Sequence, residues 1–180
     1  MHGYSFIERR TFISGMLGAG YFIATATLLP RIASAQMDKV HASMAAMREK
    51  TVKLGPPRIE GTEAVAGKDV PALYFGTTKM NNNFDVVDDV VKENGGTATL
   101  FVKAGDEYVR VATNVKRADN SRAIGTILDP KGPVIGVIKK GDAYYGDATI
   151  LGKAYVTGYE PIRDAAGNVI GIYYAGYLKG

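Results

Sequence analysis

From Thr97 onward the chain is dominated by a period-two alternation of side chains, and this feature confines most of that half to antiparallel sheet. TATLFVKAGDEYVRVATNVKR reads as two strands around the turn Ala104-Gly105-Asp106-Glu107. On the second strand Tyr108, Arg110, Ala112 and Asn114 share one face, and Val109, Val111, Thr113 and Val115 the other. ILGKAYVTGYEPI, residues 150–162, reads as a further strand, with Lys153, Tyr155, Thr157 and Tyr159 in one row and Ala154, Val156 and Gly158 in the other. The turn RDAAGN leads into the last strand, VIGIYYAGYL. Tyrosines beside a cation make an amphipathic face. Such a face either packs, with hydroxyls at the rim and Lys153 reaching water, or lines a binding site. Alternation alone leaves both readings open.

The first half has helical signals. Val40, Met44, Met47 and Leu54, with Thr51 completing the stripe, predict an amphipathic helix over 38–54 that Gly55-Pro56-Pro57 ends. NNNFDVVDDVVKENGG predicts a second helix with Asn83 as N-cap and Gly95-Gly96 as its stop. Its Asp85 and Asp88 suit a helix N-terminus, and together with Asp89 they lack the spaced ligands and glycine of a calcium loop. After a loop at 118–121, RAIGTIL reads as extended, and Asp129-Pro130 opens a short helix that ends at Gly141. Helices followed by a mainly antiparallel sheet define an α+β domain.

The segment ahead of this domain reads as an address. MHGYSFIERRTFISGMLGAGYFIATATLLPRIASAQ has a twin-arginine pair, a Gly- and Ala-rich apolar stretch and a small-residue A-S-A ending at Ala35. Arg9-Arg10-Thr11-Phe12-Ile13 resembles the twin-arginine export consensus, so the expected division is a signal peptide at 1–35 and a domain at 36–180. Thr11 to Leu29 is also near the ~20 residues a spanning helix needs, so a retained anchor is the competing reading. The expected location is the periplasm.

Composition narrows the chemistry. The absence of cysteine excludes thiol nucleophiles, disulfides and thiolate metal sites. His2 and His41 cannot form a clustered metal site, and His41 falls on the first helix as a surface or packing residue. Of the net charge of +4, half comes from Arg9, Arg10 and Arg31 against Glu8, and the remainder gives no reason to expect a nucleic-acid partner. No cofactor and no catalytic set are expected. A Lys153 imine is the only enzymatic reading the residues suggest.

The stretches GGTATLFVKAGDEYVRVATNVKRADNSRAIGTIL and AYYGDATILGKAYVTGYEPIRDAAGNVIGIYYAGYL closely resemble the single Cache sensor domain of the Cache 3/Cache 2 fusion group, found in bacterial chemoreceptors and sensor kinases. GPPRIEG and NNNFDVVDDV resemble its upstream portion. The resemblance spans residues 37–179 and implies a long N-terminal helix, a PAS-like antiparallel sheet and a pocket between one sheet face and its covering loops. It further implies sensing of a small organic acid such as acetate, propionate, pyruvate or lactate, relayed to a membrane receptor, kinase or transporter. In such a pocket Arg110 would offer a planar fork and Lys153 a point charge, Tyr155 and Tyr145 hydroxyls, and Tyr144, Phe101 and Tyr159 the wall. The alternative is an interaction protein with a vestigial pocket, dimerising through the helix at 38–54.

Overall fold

The computed structural model describes residues 28–179. Helix α1 (Leu28–Leu54) is followed by β1 (Pro57–Val65), β2 (Lys68–Phe75), β3 (Thr78–Lys79) and helix α2 (Asp85–Asn94). Then come β4 (Thr97–Ala104), β5 (Glu107–Thr113), helix α3 (Pro133–Lys139), β6 (Tyr144–Ile150), β7 (Lys153–Arg163) and β8 (Val169–Leu178). The strands form two antiparallel sheets, a small one in the order β1-β2-β3 and a main one in the order β5-β4-β8-β7-β6. This is the expected α+β architecture, with a long N-terminal helix against a PAS-like sheet.

The predicted stripe on α1 is buried at Val40, Met44, Met47 and Thr51 and packs across β7 and β8. The chain is already helical at Leu28, the first described residue, so α1 extends well ahead of the Asp38 start expected from the stripe. The expected cleavage point after Ala35 therefore lies within α1, while residues 1–27 of the expected leader lie outside the described residues. Two buried hydroxyl pairs join α1 to β8: Ser43 Oγ lies 2.8 Å from the Tyr177 hydroxyl and Thr51 Oγ1 lies 2.8 Å from that of Tyr173.

Helix α2 packs on α1 and β4, and its valines complete a core with β2 and one face of the main sheet. Asn83 is not its N-cap as expected: the cap falls one residue later, at Phe84, and Asn83 Oδ1 instead accepts the Asp85 N–H at 3.0 Å. The opposite sheet face carries Phe101, Tyr108, Tyr159, Ile172 and Tyr174, covered by α3 and the segment before it. Asp129-Pro130 does not open α3. Asp129 Oδ1 accepts the Lys131 N–H at 2.9 Å to form a side-chain turn, and the helix starts at Pro133, whose fixed φ suits the first helical position.

Two further departures reposition side chains. The stretch 150–162 is not one strand: Leu151 (φ 47°) and Gly152 (φ 82°) form a two-residue hairpin turn, so Ile150 belongs to β6 and β7 begins at Lys153. On β5 the pairs Leu100↔Ala112 and Phe101↔Arg110 leave Val111 as an extra residue. This bulge reverses the alternation after Arg110. Ala112 joins the helix-side core with Val109 and Val111, while Val115 crosses to the face that holds Tyr108 and Arg110.

Candidate ligand-binding site

The segment after β5 doubles back along that strand's outer edge. Arg110 N–H donates to Thr126 O (2.9 Å), Gly125 N–H to Arg110 O (2.8 Å) and Leu128 N–H to Tyr108 O (2.9 Å). Beyond Leu128 the chain crosses to the tyrosine-bearing face. A cavity of about 330 Å³ remains between this crossing, the start of α3 and the β6–β7 turn, with Arg110 and Tyr159 from the sheet and Leu128, Asp129, Pro133 and Leu151 among its other walls.

Arg110 is 4% exposed, and its Nη1 donates to Thr126 Oγ1 at 2.7 Å. Its Nε is buried without a hydrogen-bond partner. No carboxylate lies within ion-pair distance of it among the described residues. Burial lowers the pKa of this guanidinium below its ordinary value, opposed by the nearby Tyr159 and Tyr174 hydroxyls and reinforced by the charge of Arg117. A guanidinium remains charged even so. An unpaired charge in such a place costs several kcal/mol, and an anion supplied from outside would offset that cost.

The aromatic floor is continuous. The Tyr159 ring centroid lies 6.5 Å from Phe101, 4.9 Å from Tyr174 and 6.2 Å from Tyr144. Tyr174 shares a hydrogen bond with Thr97 Oγ1 (2.9 Å), whereas the Tyr159 hydroxyl has no partner among the described residues. Burial raises the pKa of both phenols strongly, so both remain neutral donors at physiological pH.

The structure brings together only some of the seven residues selected from sequence. Arg110 and Tyr159 line the cavity, with Phe101 beneath the guanidinium. Lys153 and Tyr155 line a different cavity, and Ile150 and Leu151 are walls of both. Tyr144 packs against Tyr159 but lines neither, and its hydroxyl donates to Asp147 O at 2.6 Å. Tyr145 lies on the α1 side of the sheet, stacked on His41 with ring centroids 4.3 Å apart, and its hydroxyl donates to Glu160, which also binds Arg48. His41 is thus a packing residue.

Sequence reasoning missed Thr126, Tyr174 and the Leu128–Pro133 crossing. Tyr174 was legible as the neighbour of Tyr173 on a strand. Thr126 carried no signal, because only the doubling back along β5 brings it to Arg110.

A helix-backed antiparallel sheet whose other face is roofed by a crossing segment, with a buried cation inside, defines a PAS-like ligand-sensing module. The chain belongs to the Cache 3/Cache 2 fusion domain family, whose family model matches residues 25–179. No curated protein matches it. Membership assigns extracytoplasmic small-molecule sensing as the general role, and Cache domains are sensory rather than catalytic. Among the described residues no helix is long and apolar enough to cross a membrane.

Proposed function

We propose that the Arg110 cavity binds a small organic acid of the C2 to C4 monocarboxylate class, acetate, propionate, pyruvate or lactate, and that the chain senses it outside the cytoplasm and relays its occupancy to a membrane receptor, kinase or transporter. One observation carries this reading: a guanidinium 4% exposed, without a carboxylate partner among the described residues, lines the cavity, and its Nε–H has no hydrogen-bond partner. Nη1 is already held by Thr126, which fixes the plane of the fork. A carboxylate accepting from the remaining edge would gain charge-assisted hydrogen bonds of roughly 1.5 to 3 kcal/mol each. Tyr159 would donate its hydroxyl to the same anion, and Phe101 and Tyr174 would exclude water.

A ligand of four to six heavy atoms gains at most about 1.5 kcal/mol per atom, hence roughly 6 to 9 kcal/mol, which sets micromolar or weaker affinity. That range suits a sensor of metabolite levels. The alternative of dimerisation through the α1 stripe has less support, because that stripe is buried against β7 and β8 of its own chain. A Lys153 imine has less still, since this lysine is exposed rather than desolvated.

The test is a thermal-shift screen of the exported protein against C2 to C4 carboxylates, amino acids, amines and urea, repeated with Arg110→Met. A ligand at about 100 times its dissociation constant adds roughly 2.7 kcal/mol, a few degrees in midpoint. A shift with one acid that vanishes in Arg110→Met is the expected result. A flat screen, or a shift indifferent to that substitution, sinks the reading.

A further inference from the structure

On the far side of the β6–β7 turn from Arg110 lies the second cavity, also of about 330 Å³. Its cations are Lys116, Arg117 and Lys153, and no aspartate or glutamate contributes to its walls. Lys116 and Lys153 are exposed, and neither forms an ion pair among the described residues. Arg117 is fixed differently: its Nη1 and Nη2 donate to the backbone carbonyls of Arg122 and Ile124, which makes it a stationary charge. Half-buried Tyr155 adds a phenol. The amide of Asn114 is already used, accepting the Ala98 N–H at 2.7 Å and donating to Gly96 O at 3.3 Å.

Three like charges thus border one space from two separate segments, the chain leaving β5 and the start of β7; Arg117 has Asp119 within electrostatic reach outside the cavity walls, while the two lysines form no ion pair among the described residues. The free donors are two ammoniums and a phenol, with no carboxylate in the lining to match them. A carboxylate presents two oxygens on one edge. A phosphate-type oxyanion presents three or more oxygens on several sides with up to two negative charges, which matches donors contributed by two separate segments. We propose that this cavity is a second, independent site that binds a phosphate-class oxyanion.

The oxyanion can be free or can be a lipid headgroup. Leu151, 48% exposed, forms one wall, and Leu178, 52% exposed, pairs with Tyr155 across the sheet, so apolar side chains flank the cations as a lipid surface would require.

The experiment titrates inorganic phosphate into the full chain by calorimetry at low ionic strength. In parallel, it measures cosedimentation with phosphatidylcholine vesicles with or without about 30% phosphatidylglycerol, an anionic lipid. Binding of phosphate that weakens about tenfold or more in Lys116→Ala/Lys153→Ala and on addition of salt, while Arg110→Met leaves it unchanged, establishes a free-oxyanion site. Binding only to the anionic vesicles, lost in the same double variant, assigns the headgroup as the source. Both lysines are exposed, so circular dichroism of the double variant should match the parent. No binding in either arm, or binding that the double variant retains, overturns the proposal. Because Arg110→Met is carried through both arms, failure here is separable from failure of the carboxylate site.

Discussion

Arg110 and Phe101 are direct cross-strand partners on β5 and β4, and the guanidinium carbon stands 4.9 Å from the Phe101 ring centroid. A ring face offsets only part of the desolvation of a cation, about 2 kcal/mol when water is excluded. The pair therefore holds the charge in place without neutralising it. The bulge at Val111 makes this alignment possible, since it allows Arg110 to oppose Phe101 while the residues beyond it return to the helix side.

Arg110→Met should accordingly leave the ligand-free domain as stable as the parent or stabilise it by about 1 to 3 kcal/mol, as replacement of buried charge by apolar volume often does. Urea unfolding in the absence of carboxylates measures this. A loss of more than about 2 kcal/mol would mean that the Thr126 bond and the Phe101 contact outweigh the desolvation.

Alkaline titration should report the buried phenols. Burial is the largest cause that raises the Tyr173 pKa, to about 12 from the ordinary 10.0, and it raises Tyr145, Tyr159 and Tyr174 still further. A folded-state pKa above the unfolded value gives stability that is complete below pH ~10 and is lost as pH rises through the folded value. For Tyr173 alone that is about 2 to 3 kcal/mol lost between pH ~10 and ~12. Phenolate absorbance followed with far-ultraviolet dichroism should show exposed tyrosines ionising first and the buried group only with unfolding. Ionisation of all eleven tyrosines in one step near pH ~10, with the fold intact, would contradict this burial.

The pair between Thr51 and Tyr173 lends itself to a double-mutant cycle. Thr51→Val strands the Tyr173 hydroxyl, and Tyr173→Phe strands the Thr51 hydroxyl less severely, because that oxygen also donates to Met47 O at 2.9 Å. Thr51→Val should cost about 1 to 3 kcal/mol, and the double variant should recover a large part of it, because no buried donor is then left unmatched.

Gly158 is the close-approach position on the α1 side of β7. A Cβ there would stand 2.7 Å from the Tyr145 ring and 2.8 Å from the Val40 side chain. Gly158→Ala should destabilise by about 1 to 3 kcal/mol through overpacking, and the added substitution Val40→Ala should relieve part of it. Chemical denaturation of the parent and these two variants decides the matter.

The expected leader gives a prediction of its own. Mass spectrometry of exported protein should show a chain beginning at Gln36, and Arg9→Lys/Arg10→Lys should block its appearance outside the cytoplasm. Gln36 would keep its place in the mature domain, since its Nε2 donates to Leu178 O at 2.9 Å. A mature chain still carrying residues 1–35 would instead identify a retained anchor.

Most of the secondary structure was legible because it depends on local periodicity. The α1 stripe ending at Gly55, the glycine stop of α2, the β4–β5 hairpin and the last strand are each set by neighbouring residues. The candidate site was legible only in part, because two single-residue events decide which side chains meet. The bulge at Val111 inverts facing within β5, and the positive φ of Leu151 puts a hairpin turn at 151–152 inside the stretch expected as one strand, between the Arg110 cavity and the one that Lys153 lines. Neither follows from alternation, which is blind to an extra residue on one strand. Thr126 reaches Arg110 through edge pairing over sixteen residues, a tertiary event.

The two hydroxyl pairs between α1 and β8 also index the helix along the sheet. Ser43 and Thr51 are separated by about 12 Å of helix at 1.5 Å per residue, and Tyr177 and Tyr173 by about 13 Å of strand at 3.3 Å per residue. The two rulers coincide at these marks. An axial slide of α1 by one turn, about 5.4 Å, would unpair both hydroxyls together, so small displacements meet a restoring force and larger ones must click to a new setting. The helix sits on the sheet as a pawl sits in a notched bar.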